Sequence, residues 1–123
     1  MTGLPEVVSL EQALARVTEH WRPKLVGELN GQAVKLAKVK GEFVWHHHEE
    51  EDELFLVLSG RLRIEFRDGA REIGPGEFLI VPRRVEHRPV ADEEVTMLLF
   101  EPLGVRNTGN VEHATLTAPT DAR

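Results

Sequence analysis

Three of the six histidines of the chain stand side by side, ahead of five consecutive carboxylates and a strongly β-forming apolar run. In an extended strand successive side chains alternate between faces, so His46 and His48 point the same way, about 7 Å apart, and His47 points to the opposite face. Two imidazoles on one face could share one metal ion. Glu53 begins the apolar run, where a short connection could return its carboxylate beside them. The best candidate for a fourth ligand is a distant histidine, His87.

Composition limits the kind of metal that this segment could bind. The chain contains no cysteine, so any ligands must be nitrogen or oxygen atoms. Three neutral imidazoles and one carboxylate suit one divalent transition-metal ion, Fe, Mn, Ni, Zn or Cu, and leave coordination positions open for water or substrate. Asp52 could replace Glu53 as the carboxylate ligand, but the spacing favours Glu53 and directs Asp52 outward.

Length and charge exclude several classes of partner. The 123 residues fit a single domain, 1–123. The formal net charge is -6 and the Lys and Arg residues are scattered, so nucleic acid is not an expected partner. The first residues lack the pattern of a secretory signal, and the apolar runs are too short to cross a membrane. We therefore expect a cytoplasmic protein that does not contact the membrane.

Local patterns predict one short helix followed by many strands. Ser9 and Gln12 match a capping box before an apolar stripe of helical period, which predicts a helix over residues 10–20 that ends with His20. Asn30 and Gly31 form the strongest short hairpin signal, between strands at 24–29 and 32–39. Further strands are predicted at residues 42–48, 53–58, 61–67, 70–73, 77–81, 86–90 and 95–101. This spacing indicates an all-β antiparallel sandwich or barrel, with its core at about 23–102.

A second motif follows at residues 74–89, GPGEFLIVPRRVEHRP, in which Gly76, Pro82 and His87 are separated by five and then four residues. Together with the first segment it resembles the cupin superfamily, and more narrowly the small single-domain cupins grouped with mannose-6-phosphate isomerases. The resemblance implies a double-stranded β-helix, or jelly roll, and metal ligands at His46, His48, Glu53 and His87. The chain departs from the family pattern at the spacing before His46 and at Arg84 and Ala91, none of which is a ligand position.

Strand phase predicts the surroundings of the ion. If His46 and His48 face inward, so does Val44, and if Glu53 does, Phe55 and Val57 follow, which gives an apolar chamber. Phe43 and Trp45 are then expected on the opposite face. Arg84 either anchors an anionic substrate at the mouth or is a solvated turn residue.

Several strands are apolar on both faces, which bears on assembly. Residues 54–58, 78–81 and 97–100 need cover on their outer sides, and a second subunit would provide it, so we expect a homodimer. The alternative is cover by the terminal segments alone. The polar residues 111–123 are expected to form a flexible tail.

The expected function is that of a metalloenzyme whose small, oxygen-bearing substrate chelates the ion, of dioxygenase or isomerase type. The alternative is a non-catalytic module that binds or senses a metal or small ligand. Ser9 and Ser59 are the only serines and lie in no nucleophile motif, and Gly74 to Gly76 form a turn without the Lys of a phosphate loop. Serine hydrolysis and nucleotide binding are therefore not expected.

Overall fold

The computed structural model describes residues 3–123. Within them the chain forms one helix and seven strands: α1 (Leu10–Ala15), β1 (Lys24–Leu29), β2 (Gln32–Glu42), β3 (Glu53–Ser59), β4 (Leu62–Phe66), β5 (Gly69–Ile73), β6 (Phe78–Val81) and β7 (His87–Pro102). All strand pairs are antiparallel. The predicted all-β antiparallel jelly roll with one short N-terminal helix is confirmed.

The long strand β7 joins the two parts of the barrel. Its second half pairs with β2 on one side and with β3 on the other, while its first residues pair with β4. The strand order β1-β2-β7-β3-β6 therefore continues from β7 into β4 and β5. Separate strands were expected at 86–90 and 95–101, and the structure corrects this to one strand of 16 residues. Its polar middle, residues 92–94, is exposed but remains extended.

The first hairpin confirms its sequence signal. Asn30 and Gly31 both have positive φ, 52° and 77°, as a two-residue type I′ turn requires. Leu29 pairs with Gln32 across the turn. The asparagine and glycine thus set the register of β1 and β2.

The helix is shorter than predicted. The Ser9 side chain accepts a hydrogen bond from the Gln12 N–H at 3.2 Å, as a capping box requires, but the helix ends at Ala15. Val17, a poorer helix former, follows in a turn and is buried with Ala13 against Leu36 on the outer face of β2. The prediction that His20 ends the helix is wrong.

The inward face of the barrel carries an apolar core that ends in charged residues. On β3 the buried positions alternate as Glu53, Phe55 and Val57, and on β7 Met97, Leu99 and Glu101 are likewise buried. The same alternation that builds the core therefore places carboxylates at one end of it.

Residues 103–123 lie against the barrel. The Leu25 N–H donates to the Ala122 carbonyl at 2.7 Å, and the Asn107 amide bridges the Leu116 carbonyl and the Ala118 N–H, both at 2.9 Å. The flexible tail expected at 111–123 stays a prediction. The single domain 1–123 also stays a prediction, and its first two residues lie outside the described part. No helix within residues 3–123 has the length and hydropathy to cross a bilayer.

Candidate metal centre

A short backbone pairing brings two of the predicted ligands together. His46 and His87 exchange both of their backbone hydrogen bonds, at 3.0 and 2.9 Å, in an isolated bridge between the segment after β2 and the start of β7. Their ring centroids are 4.4 Å apart. Backbone hydrogen bonds thus hold His46 and His87 together although they are distant in the sequence.

Two further side chains complete the cluster. The His48 ring centroid lies 5.1 Å from that of His46, and Oε1 of Glu53 is 3.5 Å from Nε2 of His48 and 3.8 Å from Nε2 of His87. One nitrogen or oxygen of each of the four residues lies within 4.8 Å of the others. All four residues are at most 5% exposed. The structure therefore brings together all the predicted metal ligands.

Backbone carbonyls orient two of the rings. Nδ1 of His46 lies 2.9 Å from the Val44 carbonyl, and Nδ1 of His87 lies 2.9 Å from the Val85 carbonyl. A carbonyl only accepts, so Nδ1 carries the hydrogen in the neutral rings and Nε2 keeps its lone pair. This arrangement is typical of metal-binding histidines.

Three buried polar atoms of the cluster have no hydrogen-bond partner within residues 3–123. They are Nε2 of His48, Oε1 of Glu53 and Nε2 of His87. A buried polar atom without a partner is costly, and such atoms are rare in folded proteins. Here the unpartnered atoms converge, so one cation would satisfy them together, and the donor set fits a borderline divalent metal.

The protonation states also suit metal binding. Burial and the neighbouring His87 lower the pKa of His46 to about 4, so this ring is neutral at pH 7. Burial alone would raise the pKa of Glu53, but His48 and His87 outweigh it and hold that pKa well below its usual range. The cluster thus combines a neutral imidazole at His46 with an ionised carboxylate.

An apolar cavity of about 30 Å³ adjoins the cluster. Trp21 and Phe43 stack at 4.5 Å over one side, and the Phe43 ring meets His46 edge-on at 5.4 Å. Met97 and Leu99 of β7 also line the cavity. Alternation along β7 could have identified Met97 and Leu99, whereas no local pattern marks Trp21.

The residues predicted to form the chamber lie in different places in the structure. Phe55 lines the cavity, while Val57 is buried in the adjoining core and does not line it. Val44 is half-buried and contributes its carbonyl to His46, and Arg84 is exposed on a turn, 3.7 Å from Glu49. Neither Val44 nor Arg84 is among the lining residues.

Phe43 was expected on the opposite face and instead lines the cavity. Strand alternation fails here because β2 ends at Glu42 and residues 43–45 are not in a strand, so the two-residue period does not continue from Phe43 to His46. Phe43 and His46 can therefore face the same interior although they are three residues apart.

The remaining candidates lie outside the cluster. Asp52 faces outward, as expected, and accepts hydrogen bonds from the Arg83 N–H and Nε at 2.9 and 3.2 Å. Nε2 of His47 is 2.7 Å from Glu49 at the surface. His20 bonds Glu94 at 2.8 Å.

Comparison with known proteins agrees with the family resemblance found in the sequence. A family profile described as "Cupin domain" matches residues 34–101. The uncharacterized protein YdbB of Bacillus subtilis (strain 168) is 41% identical over 64 residues, which are 51% of this chain. The matched region spans only 57% of the length of that relative.

Two solved structures cover more of the chain. A cupin-2 domain containing protein from Shewanella frigidimarina NCIMB 400 is 41% identical, with a TM-score of 0.77, over 78% of this chain and 94% of that one. Protein NMB1881 from Neisseria meningitidis is 32% identical, with a TM-score of 0.73, over 79% of this chain and 99% of its own. Both similarities extend over more than three quarters of this chain.

Proposed function

Because the chain belongs to the cupin family, we propose that its buried cluster binds one divalent transition-metal ion through His46, His48, Glu53 and His87. The observation that carries this proposal is the convergence of three buried atoms that lack hydrogen-bond partners within residues 3–123. Nitrogen and carboxylate donors select Fe, Mn, Ni, Zn or Cu over Mg or Ca.

We further propose a metalloenzyme that acts on a small, oxygen-bearing substrate of the dioxygenase or isomerase type. A bound ion would supply Lewis acidity, or redox chemistry if it were Fe, Mn or Cu. The protein would orient the ligands and shield the ion. The carbonyls of Val44 and Val85 would fix the imidazoles of His46 and His87, and the rings of Trp21 and Phe43 would exclude water from one side of the cavity. An apolar wall favours a substrate with an apolar body beside its chelating oxygens. The narrower relation to mannose-6-phosphate isomerases belongs to this proposal.

One observation favours the alternative, a non-catalytic module that binds or senses a metal or small ligand. His46 and Glu53 are the only titratable residues among those lining the cavity, and both belong to the proposed ligand set. The cavity of about 30 Å³ holds only one or two waters. A substrate that needs a separate general acid or base would find none there.

The first experiment measures bound metal in protein purified without an affinity tag. We expect one equivalent per chain in the wild type and a loss of that metal in His46→Ala and His87→Ala, with folding checked by circular dichroism. His47→Ala is the matched control, because His47 lies between two proposed ligands but contacts Glu49 at the surface. Equal metal content in the folded wild type and the folded His87→Ala variant would contradict the proposal.

A second experiment separates the reaction types. Protein loaded with Fe(II) is offered small chelating substrates with and without oxygen. Turnover that requires oxygen supports a dioxygenase, and turnover without oxygen supports an isomerase. Tight ligand binding without turnover under both conditions supports the binding module.

We also propose a homodimer. Phe78 and Ile80 on β6 are 62% and 52% exposed, and β6 pairs only with β3, which leaves its other edge free of strands within residues 3–123. Exposed apolar side chains on an edge strand favour contact with a second subunit. The expected cytoplasmic location stays a prediction.

A further inference from the structure

The wall of the cavity beside the metal cluster combines strand residues with residues from connecting segments. Four of the lining residues stand on the paired strands β2 and β7: Ala37, Val39, Met97 and Leu99. Trp21 lies in the connection between α1 and β1 and is the largest side chain that lines the cavity. Connecting segments vary more readily than paired strands, and they often carry binding residues. The size of the cavity therefore depends strongly on Trp21.

The backbone of Trp21 has a conformation that is uncommon for a bulky residue. Its φ is 62°, in the left-handed region, which glycine adopts without strain. Strained residues of this kind cluster at functional sites. A glycine would form the same turn at a lower energetic cost, so the strain indicates that the indole ring itself is needed at this position.

Three hydrogen bonds hold Trp21 in this conformation. Its backbone N–H donates to the Lys38 carbonyl and its indole N–H donates to the Lys40 carbonyl, both at 2.9 Å. The side-chain amide of Asn107 donates to the Trp21 carbonyl at 3.3 Å. Trp21 is 8% exposed, which places it between the cavity that it lines and the protein surface.

Phe43 connects Trp21 to the proposed metal ligands. The rings of Trp21 and Phe43 stack with their centroids 4.5 Å apart and an interplanar angle of 17°. The Phe43 ring in turn meets the His46 ring edge-on at 5.4 Å. A smaller side chain at position 21 should therefore enlarge the cavity while Phe43 keeps its contact with His46.

The cavity that Trp21 limits is small for an organic ligand. Its volume is about 30 Å³. An apolar cavity that binds benzene has a volume of roughly 150 Å³. A methyl group fits the space beside the cluster, whereas an aromatic ring does not.

We propose that Trp21 is a specificity-determining residue of the proposed metal site. It restricts the substrate to a chelating molecule whose apolar part is about as large as a methyl group, and it excludes an aromatic ring. This inference rests on the proposed function and narrows its substrate class.

The first test compares two chelators that differ only in their apolar part. Acetohydroxamate carries a methyl group and benzohydroxamate carries a phenyl ring beside the same two chelating oxygens. Their affinities for the Co²⁺-loaded protein are measured from the visible absorption of the bound ion. We expect the wild type to prefer acetohydroxamate by about 10- to 100-fold and Trp21→Ala to lose or reverse this preference. Each preference is a ratio within one protein, so a change in Co²⁺ affinity does not affect it.

The second test needs no metal. Benzene is added to the metal-free protein, and the methyl NMR signal of Met97, which lines the cavity, reports its entry. We expect a saturable shift in Trp21→Ala and none in the wild type, because removal of the indole leaves space for a smaller ring. Absence of Co²⁺ binding by the wild type would defeat the proposed metal centre, and the benzene result would still show whether Trp21 limits the cavity.

Trp45→Ala is the matched control, because Trp45 is the other of the two tryptophans of the chain. Trp45 does not line the cavity, and the guanidinium carbon of Arg67 lies 3.8 Å from its ring centroid. We expect this variant to keep the wild-type preference for acetohydroxamate and to bind no benzene. An equal change in Trp45→Ala and Trp21→Ala would overturn the assignment to Trp21.

A merely structural role makes a different prediction. It would lower the stability of Trp21→Ala in urea without a change in the preference for acetohydroxamate, and that result in a folded variant would overturn the proposal. Tighter binding of benzohydroxamate than of acetohydroxamate by the wild type would also overturn it. Trp21→Phe keeps a ring that can stack on Phe43 and should retain most of the wild-type preference. If Trp21→Ala does not fold, a wild-type preference in Trp21→Leu overturns the proposal.

Discussion

Replacement of Gly109 by alanine is expected to disturb the metal centre from outside it. Gly109 has φ +56°, and a Cβ built there overlaps the carbonyl oxygen of His47 and lies 3.1 Å from Cδ2 of His46. The next residue, Asn110, bonds His47 twice, through its N–H at 3.1 Å and its side-chain oxygen at 2.8 Å. The loop at 109–110 thus braces the histidine segment directly.

The expected loss of stability has two parts. An alanine in the left-handed region costs about 1–2 kcal/mol, and overlap with a fixed backbone group adds about 1–3 kcal/mol. Gly109→Ala should therefore destabilise the metal-free protein by about 2–5 kcal/mol. Gly104→Ala is the matched control, because Gly104 has φ +84° but no atom within 4 Å of the added Cβ. It should cost only the first part.

Both variants are unfolded with urea in EDTA, and their metal affinity is then measured by titration. We expect Gly109→Ala to be the less stable variant and also the weaker metal binder, since the His46 ring must shift. Equal losses of stability in the two variants would refute the steric argument. Wild-type metal affinity in Gly109→Ala would refute the link to His46.

Three further predictions concern other parts of the molecule. His46 binds a proton below about pH 6.5 in the unfolded chain, but only below about pH 4 in the folded protein. The free energy of unfolding of the metal-free protein should therefore rise by about 3 kcal/mol between pH 4 and pH 6.5. Urea unfolding at pH 4 and pH 7 should show a smaller rise for His46→Gln than for the wild type. Phe78→Glu should convert the proposed dimer to monomer in sedimentation, unlike Leu29→Glu at another exposed apolar site; a monomeric wild type would contradict this. Asp52→Asn should leave the metal content unchanged by elemental analysis, because Asp52 faces outward to Arg83; loss of metal would contradict the choice of Glu53.

Short-range patterns predicted most of the fold. The Asn30-Gly31 turn and the alternation along β3 and β7 depend on backbone preferences that neighbouring residues determine. The four candidate ligands could also be found from sequence, because each lies in a motif with fixed spacing. The structure brings their side chains within 4.8 Å of one another.

The errors occurred where tertiary contacts override local periodicity. The strand predicted at 42–48 is interrupted at residues 43–45, which explains why Phe43 does not have the orientation expected from His46. The acidic residues 92–94 lay between two predicted strands, yet the structure continues one strand through them. The contact between Lys35 and Asp121 joins residues too distant in sequence for any local pattern to predict it.

The central position of β7 has a consequence for how the protein is made. Three strands, β2, β3 and β4, each pair along one edge with residues 87–102, which are synthesised after all three of them. Non-local pairing of this kind is slow, and nascent chains lengthen by about 5–20 residues per second. The emerging chain therefore exposes one unpaired edge of each of these strands until residues 87–102 have been synthesised, and we expect it to require chaperones during translation more than a helical protein of equal length.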